Sequence, residues 1–188
     1  MEVIKYADEP GFEGPVLIEP KVFKDERGYF FESFNEKQFK ELVSDVDFVQ
    51  DNESKSSYGV LRGMHFQKPP YAQAKLVRVV KGAVVDVVVD IRKDSPNYGK
   101  FYHAYLSEKN HRQFFVPRGF AHGFVSLTDD TIFQYKCDNY YNKESEGSIF
   151  WADPDINIPW GMLIDYDDIL VSDKDRKNRL LSEIDNPF

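Results

Sequence analysis

Between Gly59 and Gly82 the chain reads GVLRGMHFQKPPYAQAKLVRVVKG. Two apolar, strand-like runs flank a proline-containing turn, and they carry Arg62, His65 and Lys75. Strand interiors avoid cations, because burying an unpaired charge costs several kcal/mol. An imidazole and two cations at such positions point to a pocket awaiting an anion. Such a set can accept a proton and hold negative charge as it develops on a substrate. A histidine with an ordinary pKa of about 6.5 is mostly neutral at neutral pH and can accept a proton. A fixed ammonium can stabilise negative charge developing on a substrate oxygen. Taken alone, His65 would more often be a satisfied core histidine; Arg62 and Lys75 shift the balance toward function.

Strands must position these side chains, and the rest of the chain supplies them. Residues 1–15 read as extended and loosely ordered, with Pro10, Gly11, Gly14 and Pro15 as breakers. Val16–Pro20 reads as a short strand continued by Lys21–Phe23, and the aromatic run Tyr29–Phe34 as another. Asn35 and Gln38 make a capping box that opens a helix over Glu36–Ser44. Ala83–Ile91 is a near-continuous valine run, the pattern of a strand buried on both faces. Asp86 within it needs a partner, and orienting His122 or Lys75 would supply one. Strands are further expected over Lys100–Leu106, Gln113–Val116 and Thr131–Cys137, with a turn over Pro117–Gly123. Ser172–Leu181 opens with Ser-x-x-Asp and reads as a helix start. About ten short strands with little helix predict an all-β protein. Strict alternation puts Arg62 and His65 on opposite faces of one strand. Both reach one pocket only if the strand bends, and Gly63 permits a bulge.

Bulk properties bound the partners. The 188 residues suit one domain with a sizeable core. A net charge of -8 argues against a nucleic-acid polymer, which needs a basic surface. Cys137 is the only cysteine, so no intrachain disulfide can form, and a reducing cytoplasmic setting fits. The charged start lacks an apolar signal core, and no run is long enough to cross a membrane.

Gly59-x5-His65-x-Gln67 followed by Gly82, and Pro117-x-Gly119-x-x-His122, have the outline of the two cupin motifs. A metal-binding cupin would place a histidine where Gln67 stands and a carboxylate where Lys75 stands. Two of four ligands are replaced, one by a cation, so the set should hold a divalent metal poorly. A metal-dependent cupin enzyme is the weaker reading.

The segments GVLRGMHFQ, KLVRVVKGAVVDVVVDIR, SPNYGK, FFVPRGFAHGF, FQYKCDNYY and SDKD closely resemble the dTDP-4-dehydrorhamnose 3,5-epimerase family, from about Val16 to about Asp175. The resemblance implies a cupin-type jelly-roll β-barrel with a few short peripheral helices, one domain over 1–188, a homodimer, and neither metal nor other cofactor. It also implies epimerisation of a dTDP-4-keto-6-deoxyhexose at C3 and C5, in dTDP-L-rhamnose synthesis. An enzyme that inverts only one carbon of a related sugar is the alternative. His65 then matches the catalytic base, Tyr135 the proton donor, Asp175 the carboxylate paired with the base, and Lys75 the lysine near the 4-keto oxygen. Arg27, Glu32, Gln50, Asn52 and Arg62 match substrate-contacting positions, as do His122, Glu146 and Lys174. Of these, Arg27, Gln50, Asn52 and Glu146 are expected at the dTDP part. Phe30 and Tyr141 resemble aromatics that pack around nucleotide and sugar. Plainer readings stand beside several of these. His122 could hold a turn, Asp175 could be the N3 residue of a helix, and Tyr135 and Tyr141 could be core. Arg27 and Glu32 could form a surface ion pair worth little.

Overall fold

The computed structural model describes residues 1–5 and 13–188; Pro10 and Gly11, two of the expected breakers, lie outside the described residues. In chain order the strands are β1 (Glu2–Lys5), β2 (Val16–Glu19), β3 (Phe23–Asp25) and β4 (Gly28–Phe30). After helix α1 (Glu36–Leu42) come β5 (Gln50–Ser56), β6 (Val60–Gln67), β7 (Lys75–Lys81) and β8 (Ala83–Asp90). Then follow β9 (Phe101–Ser107), β10 (Gln113–Val116), β11 (Phe120–Ser126), β12 (Thr131–Cys137), β13 (Glu146–Ser148) and β14 (Leu170–Val171).

The strands form two large sheets. One has the order β1-β2-β10-β7-β12-β5; the other runs β13-β6-β11-β8-β9, with β14 also paired to β6. β3 and β4 make a separate exposed hairpin. The protein is therefore all-β, as the strand spacing predicts. The jelly roll is built as a two-sheet sandwich: among the described residues the end strands of one sheet do not hydrogen-bond to those of the other.

Three apolar layers hold the sheets. Between them lie Val77 and Val79 from β7, Val84 and Val88 from β8, Phe124 from β11 and Phe133 from β12. The opposite face of β8, with Val85, Val87 and Val89, packs under the later chain through Ile149, Ile156, Ile158 and Trp160. That is why every residue of β8 is buried and why its sequence reads as unbroken valine. On the outer face of the first sheet, α1 lays Phe39 against Ile18, Leu76 and Phe115. Each such side chain contributes about 1.5–3 kcal/mol when fully buried.

Several boundaries differ from expectation. Lys21–Phe23 does not continue β2; Phe23 opens the hairpin instead. The aromatic strand is shorter, ending at Phe30. The turn at Pro117 closes early, so His122 sits inside a strand rather than on a turn. Ser172–Leu181 forms only a short 3-10 turn at Asp175–Lys177 and another at Leu181–Glu183. Its sequence, SDKDRKNRL, offers no apolar stripe to bury, and a helix that short is marginal without one. The cap at Asn35 holds: its side chain accepts from the Gln38 amide at 3.2 Å. Among the described residues no helix is long and apolar enough to cross a membrane.

The bend in β6 is present. His65 pairs with His122, but Arg62 pairs with Phe124, so three steps on β6 match two on β11. Gly63 takes φ 144°, and a Cβ there would lie 2.6 Å from the Gly123 Cα. Gly63→Ala is therefore expected to destabilise the fold by about 1–3 kcal/mol. The check is a lowered urea midpoint with an unchanged slope; an unchanged midpoint would mean that the bulge does not depend on glycine.

Candidate active site

The site lies where the two sheets face each other. His65 and His122 are directly opposite on neighbouring antiparallel strands, so their side chains share one face. Lys75 shares the inward face of β7 with Val77 and Val79. On β12, Tyr135 packs at the edge of that same inner core. One sheet thus presents two imidazoles, and the opposing sheet presents an amine and a phenol. His65, Lys75 and Tyr135 line both of two adjoining cavities, of about 510 and 350 Å³. Together these are the size of an ordinary small-molecule site.

The first lobe also contains Arg62, His122, Asp175 and Ser54, with an apolar wall from Phe124, Phe133, Leu170 and Val171. The second is more polar. It adds Gln50, Asn52, Gln73, Tyr141, Glu146 and Lys174. Strand β5 explains much of this. Its inward positions Gln50, Asn52, Ser54 and Ser56 are all amides or hydroxyls, while Asp51, Glu53 and Lys55 face out. The amide of Gln50 donates to Asn52 at 3.1 Å, and Arg62 donates to Ser56 Oγ at 3.1 Å.

His65 Nε2 lies 2.6 Å from Asp175 Oδ1. Burial by itself would raise the Asp175 pKa. The His65 hydrogen bond and charge, with the Ser172 hydroxyl and the Gly63 backbone amide, outweigh it, and the carboxyl ends below its ordinary value. An ionised carboxylate only accepts, so Nε2 carries the proton in neutral His65 and Nδ1 is left as the nitrogen that can accept one. The Ser172 hydroxyl also accepts from the Asp175 amide at 3.1 Å. Parallel pairing of β14 to β6, with Val171 beside Leu61, delivers this turn to the histidine.

His122 Nε2 sits 2.9 and 3.0 Å from the two oxygens of Asp86. Both side chains are buried; burial lowers the pKa of the histidine and raises that of the acid, so the pair leans toward neutrality. The expected partner of Asp86 is thus His122, while Lys75 interacts with it through charge alone. Burial also pulls the Lys75 pKa below the lysine range, against the pull of Cys137 and Asp86. Burial raises Tyr135, which keeps its phenol protonated, and pushes Cys137 up to about 11, so the thiol stays neutral.

At the rim, Glu146 accepts from Lys174 at 2.7 Å and from the Tyr141 hydroxyl at 3.1 Å. Gln50 Oε1 accepts from the Tyr141 amide at 3.1 Å.

Arg27, Phe30 and Glu32 are not brought to this cleft. Arg27 is exposed and tied to Asp25 across the β3–β4 turn. Phe30 is 67% exposed. Glu32 accepts from Asn35 and lines a separate groove beside α1. The sequence reading missed Ser54, Gln73, Phe124, Phe133, Val171 and Ser172, all of which line or brace the cleft. Alternation along β5 and β12 was the signal for Ser54 and Phe133.

The residues at the cupin positions do not suit a metal. Gln67 spends its amide on backbone, donating to Tyr71 and Tyr140 oxygens and accepting from Asn142. His122 Nε2 is bound to Asp86, and Lys75 brings a cation where a ligand would stand.

A sequence model described as dTDP-4-dehydrorhamnose 3,5-epimerase matches residues 9–183. The dTDP-4-dehydrorhamnose 3,5-epimerase of Methanothermobacter thermautotrophicus is 51% identical over 171 residues, 91% of either chain. The crystal structure of the dTDP-4-dehydrorhamnose 3,5-epimerase from Elizabethkingia anophelis is 51% identical and superposes with a TM-score of 0.90, covering 99% of this chain and 98% of that one. The dTDP-6-deoxy-D-glucose-3,5-epimerase of Legionella pneumophila, solved in complex with dTDP-4-keto-L-rhamnose, is 46% identical with a TM-score of 0.87, covering 93% and 92%.

A lysine whose folded pKa lies below its unfolded value costs stability while both states are charged. That cost is full below the folded pKa and fades as pH rises to the ordinary lysine value, about 10.4. Lys75→Met is therefore expected to match or exceed the wild-type melting temperature at pH 7, with the difference shrinking as the pH is raised toward 10. A variant less stable than wild type at pH 7 would show the amine to be favourably paired instead.

Proposed function

The chain belongs to the dTDP-4-dehydrorhamnose 3,5-epimerase family, isomerases acting on a dTDP-sugar, and we propose that it inverts C3 and C5 of dTDP-4-dehydro-6-deoxy-D-glucose to give dTDP-4-dehydro-L-rhamnose. A hydrogen on carbon beside a ketone is a weak acid, so its removal needs a base and a group to hold the enolate oxygen. His65 Nδ1 takes the proton, and Asp175, bound to the other nitrogen, stabilises the imidazolium that forms. Lys75, with Arg62 near, steadies the oxygen; a well-placed donor of this kind contributes about 3–4 kcal/mol. Tyr135 returns a proton to the opposite face of the ring. What supports this most is a single observation: the base stands on β6 of one sheet and the acid on β12 of the other. A sugar ring between them is approached from both faces, which inversion requires.

The nucleotide is assigned to the polar lobe, where Gln50, Asn52, Tyr141, Glu146 and Lys174 offer hydrogen bonds and a cation. His122, held by Asp86, completes the wall beside the ring. We assign Arg27 and Phe30 to the site of a second copy. The β3–β4 hairpin exposes Phe23, Tyr29 and Phe30, at 54%, 59% and 67%, more aromatic surface than one chain has reason to leave in water. Such a homodimer makes each cleft complete only with its partner's hairpin, and an arginine fork suits a diphosphate. The free, buried Cys137 fits a reducing, cytoplasmic setting.

Turnover of dTDP-4-keto-6-deoxyglucose in deuterated water, read by NMR of the product, tests the chemistry. Wild type is expected to place deuterium at C3 and C5, and His65→Asn to lower the rate by about 10²–10⁴. Label at one carbon alone would make this a single-carbon epimerase, and no label would remove the epimerase reading. The shared site has its own check. Arg27→Ala and His65→Asn are each expected to be weakly active, and mixing them under conditions of subunit exchange should restore turnover, since one cleft of each hybrid is intact. No recovery would place Arg27 outside the partner's cleft.

A further inference from the structure

Lys75 is unlike the other lysines around the cleft. Lys174, which also lines the cleft, is held by Glu146 at 2.7 Å, and Lys136, on the outer face of β12, by Asp51 at 2.9 Å. Among the described residues no hydrogen bond or ion pair holds the Lys75 amine; its ring contact is Tyr135, with the centroid 5.9 Å away. It opens to both lobes of the cavity and is only half-buried by its own surface. An unpaired amine, reachable from outside and sharing its cavity with Arg62, which no carboxylate among the described residues holds, is a nucleophile placed where an anionic carbonyl compound would arrive. Its acidity points the same way, since burial favours the neutral amine.

We propose that Lys75 is a covalent capture site for small anionic aldehydes, forming a reversible imine with those that enter the cleft. The Nζ lone pair adds to the aldehyde carbon, and a proton passes from nitrogen to oxygen to give a carbinolamine. Tyr135 then donates to the hydroxyl, which departs as water. The remaining nitrogen proton returns to the tyrosine oxygen as the C=N bond forms. An aldehyde is less hindered and more electrophilic than the ring ketone, so it captures the amine where the ketone is only polarised. The consequence is inhibition: a lysine bound as an imine no longer holds charge on the enolate oxygen. This last consequence rests on the epimerase reading; the capture itself does not.

Pyridoxal 5′-phosphate is the probe, an aldehyde that carries its own phosphate. The intact protein is incubated with it at neutral pH, reduced with sodium borohydride to fix the imine, digested and mapped by mass spectrometry. Turnover of the dTDP-4-keto sugar is measured on the same samples. The expected result is one dominant adduct on Lys75, turnover lost in proportion to it, and protection of both by dTDP. Lys75→Arg should lose that adduct while keeping any trace labelling of surface lysines, which reports that it is folded and reactive elsewhere. Labelling spread over surface lysines with Lys75 unmodified would overturn the proposal, as would an adduct at Lys75 that dTDP leaves untouched. A clean Lys75 adduct on a protein that does not turn over the dTDP-sugar would support the capture site and defeat the epimerase reading, so the two fail separately.

Discussion

A carbon centre is inverted only if a proton leaves from one face and returns to the other. That demand fixes the architecture here more than any single contact does. Acid and base on one strand, or on neighbouring strands of one sheet, would meet the ring from the same side. A sandwich solves the problem by its construction. β6 and β12 belong to different sheets whose inner faces look at each other, so His65 and Tyr135 line the cleft from opposite walls, as the proposed inversion would require. In the proposed reaction the carbonyl oxygen needs a third group, and Lys75 reaches the same cleft from β7, the strand next to β12.

Placing these groups on inward faces costs free energy, and the neighbouring core offsets it. Lys75 lies two residues from Val77, and Tyr135 two from Phe133, so each polar strand position is followed at once by one that is almost fully buried. Phe124 and Phe133 stack with centroids 4.3 Å apart and close the floor between the sheets. The cleft is therefore the open end of the same layer that holds the sheets together, and that layer keeps the reacting groups on rigid strands. Asp86 and His122 show the other way to manage cost. They are buried completely, but as a hydrogen-bonded pair whose pKa values both shift toward the neutral forms. An imidazole held this way lines the cleft with its charged form disfavoured by burial.

The sequence made much of this visible because strands write their own period. The bounds of β12 show in its alternation and β8 in its lack of it. The bend at Gly63 could be required in advance, since two functional side chains three residues apart had to share a cavity. Long-range partners were less legible. Nothing local in SDKD says that Asp175 meets a histidine 110 residues earlier; only resemblance carried that pair. The same segment misled as a helix start, because Ser172 does cap the Asp175 amide but no apolar face follows to sustain the turn. Whether the sheets close on each other was not legible for a related reason: alternation tells which face a residue occupies, not whether the last strand pairs with the first.

Gln67 shows how a fold keeps a position while changing its chemistry. In the outline of a metal-binding cupin that position supplies an imidazole. Here both ends of its amide are taken by the backbone of Tyr71, Tyr140 and Asn142. Those bonds fix the loop that carries Tyr141 and leads into Glu146, the wall of the polar lobe. The side chain that would have held an ion holds a loop instead. The positive charge that the proposed reaction needs would then come from Lys75, bonded to the strand itself. An ammonium on a half-buried strand cannot be lost to a chelator or exchanged for another metal. It can, however, lose its proton or be captured by an electrophile. Replacing an ion by an amine therefore trades dependence on metal supply for dependence on the protonation and chemical integrity of one nitrogen.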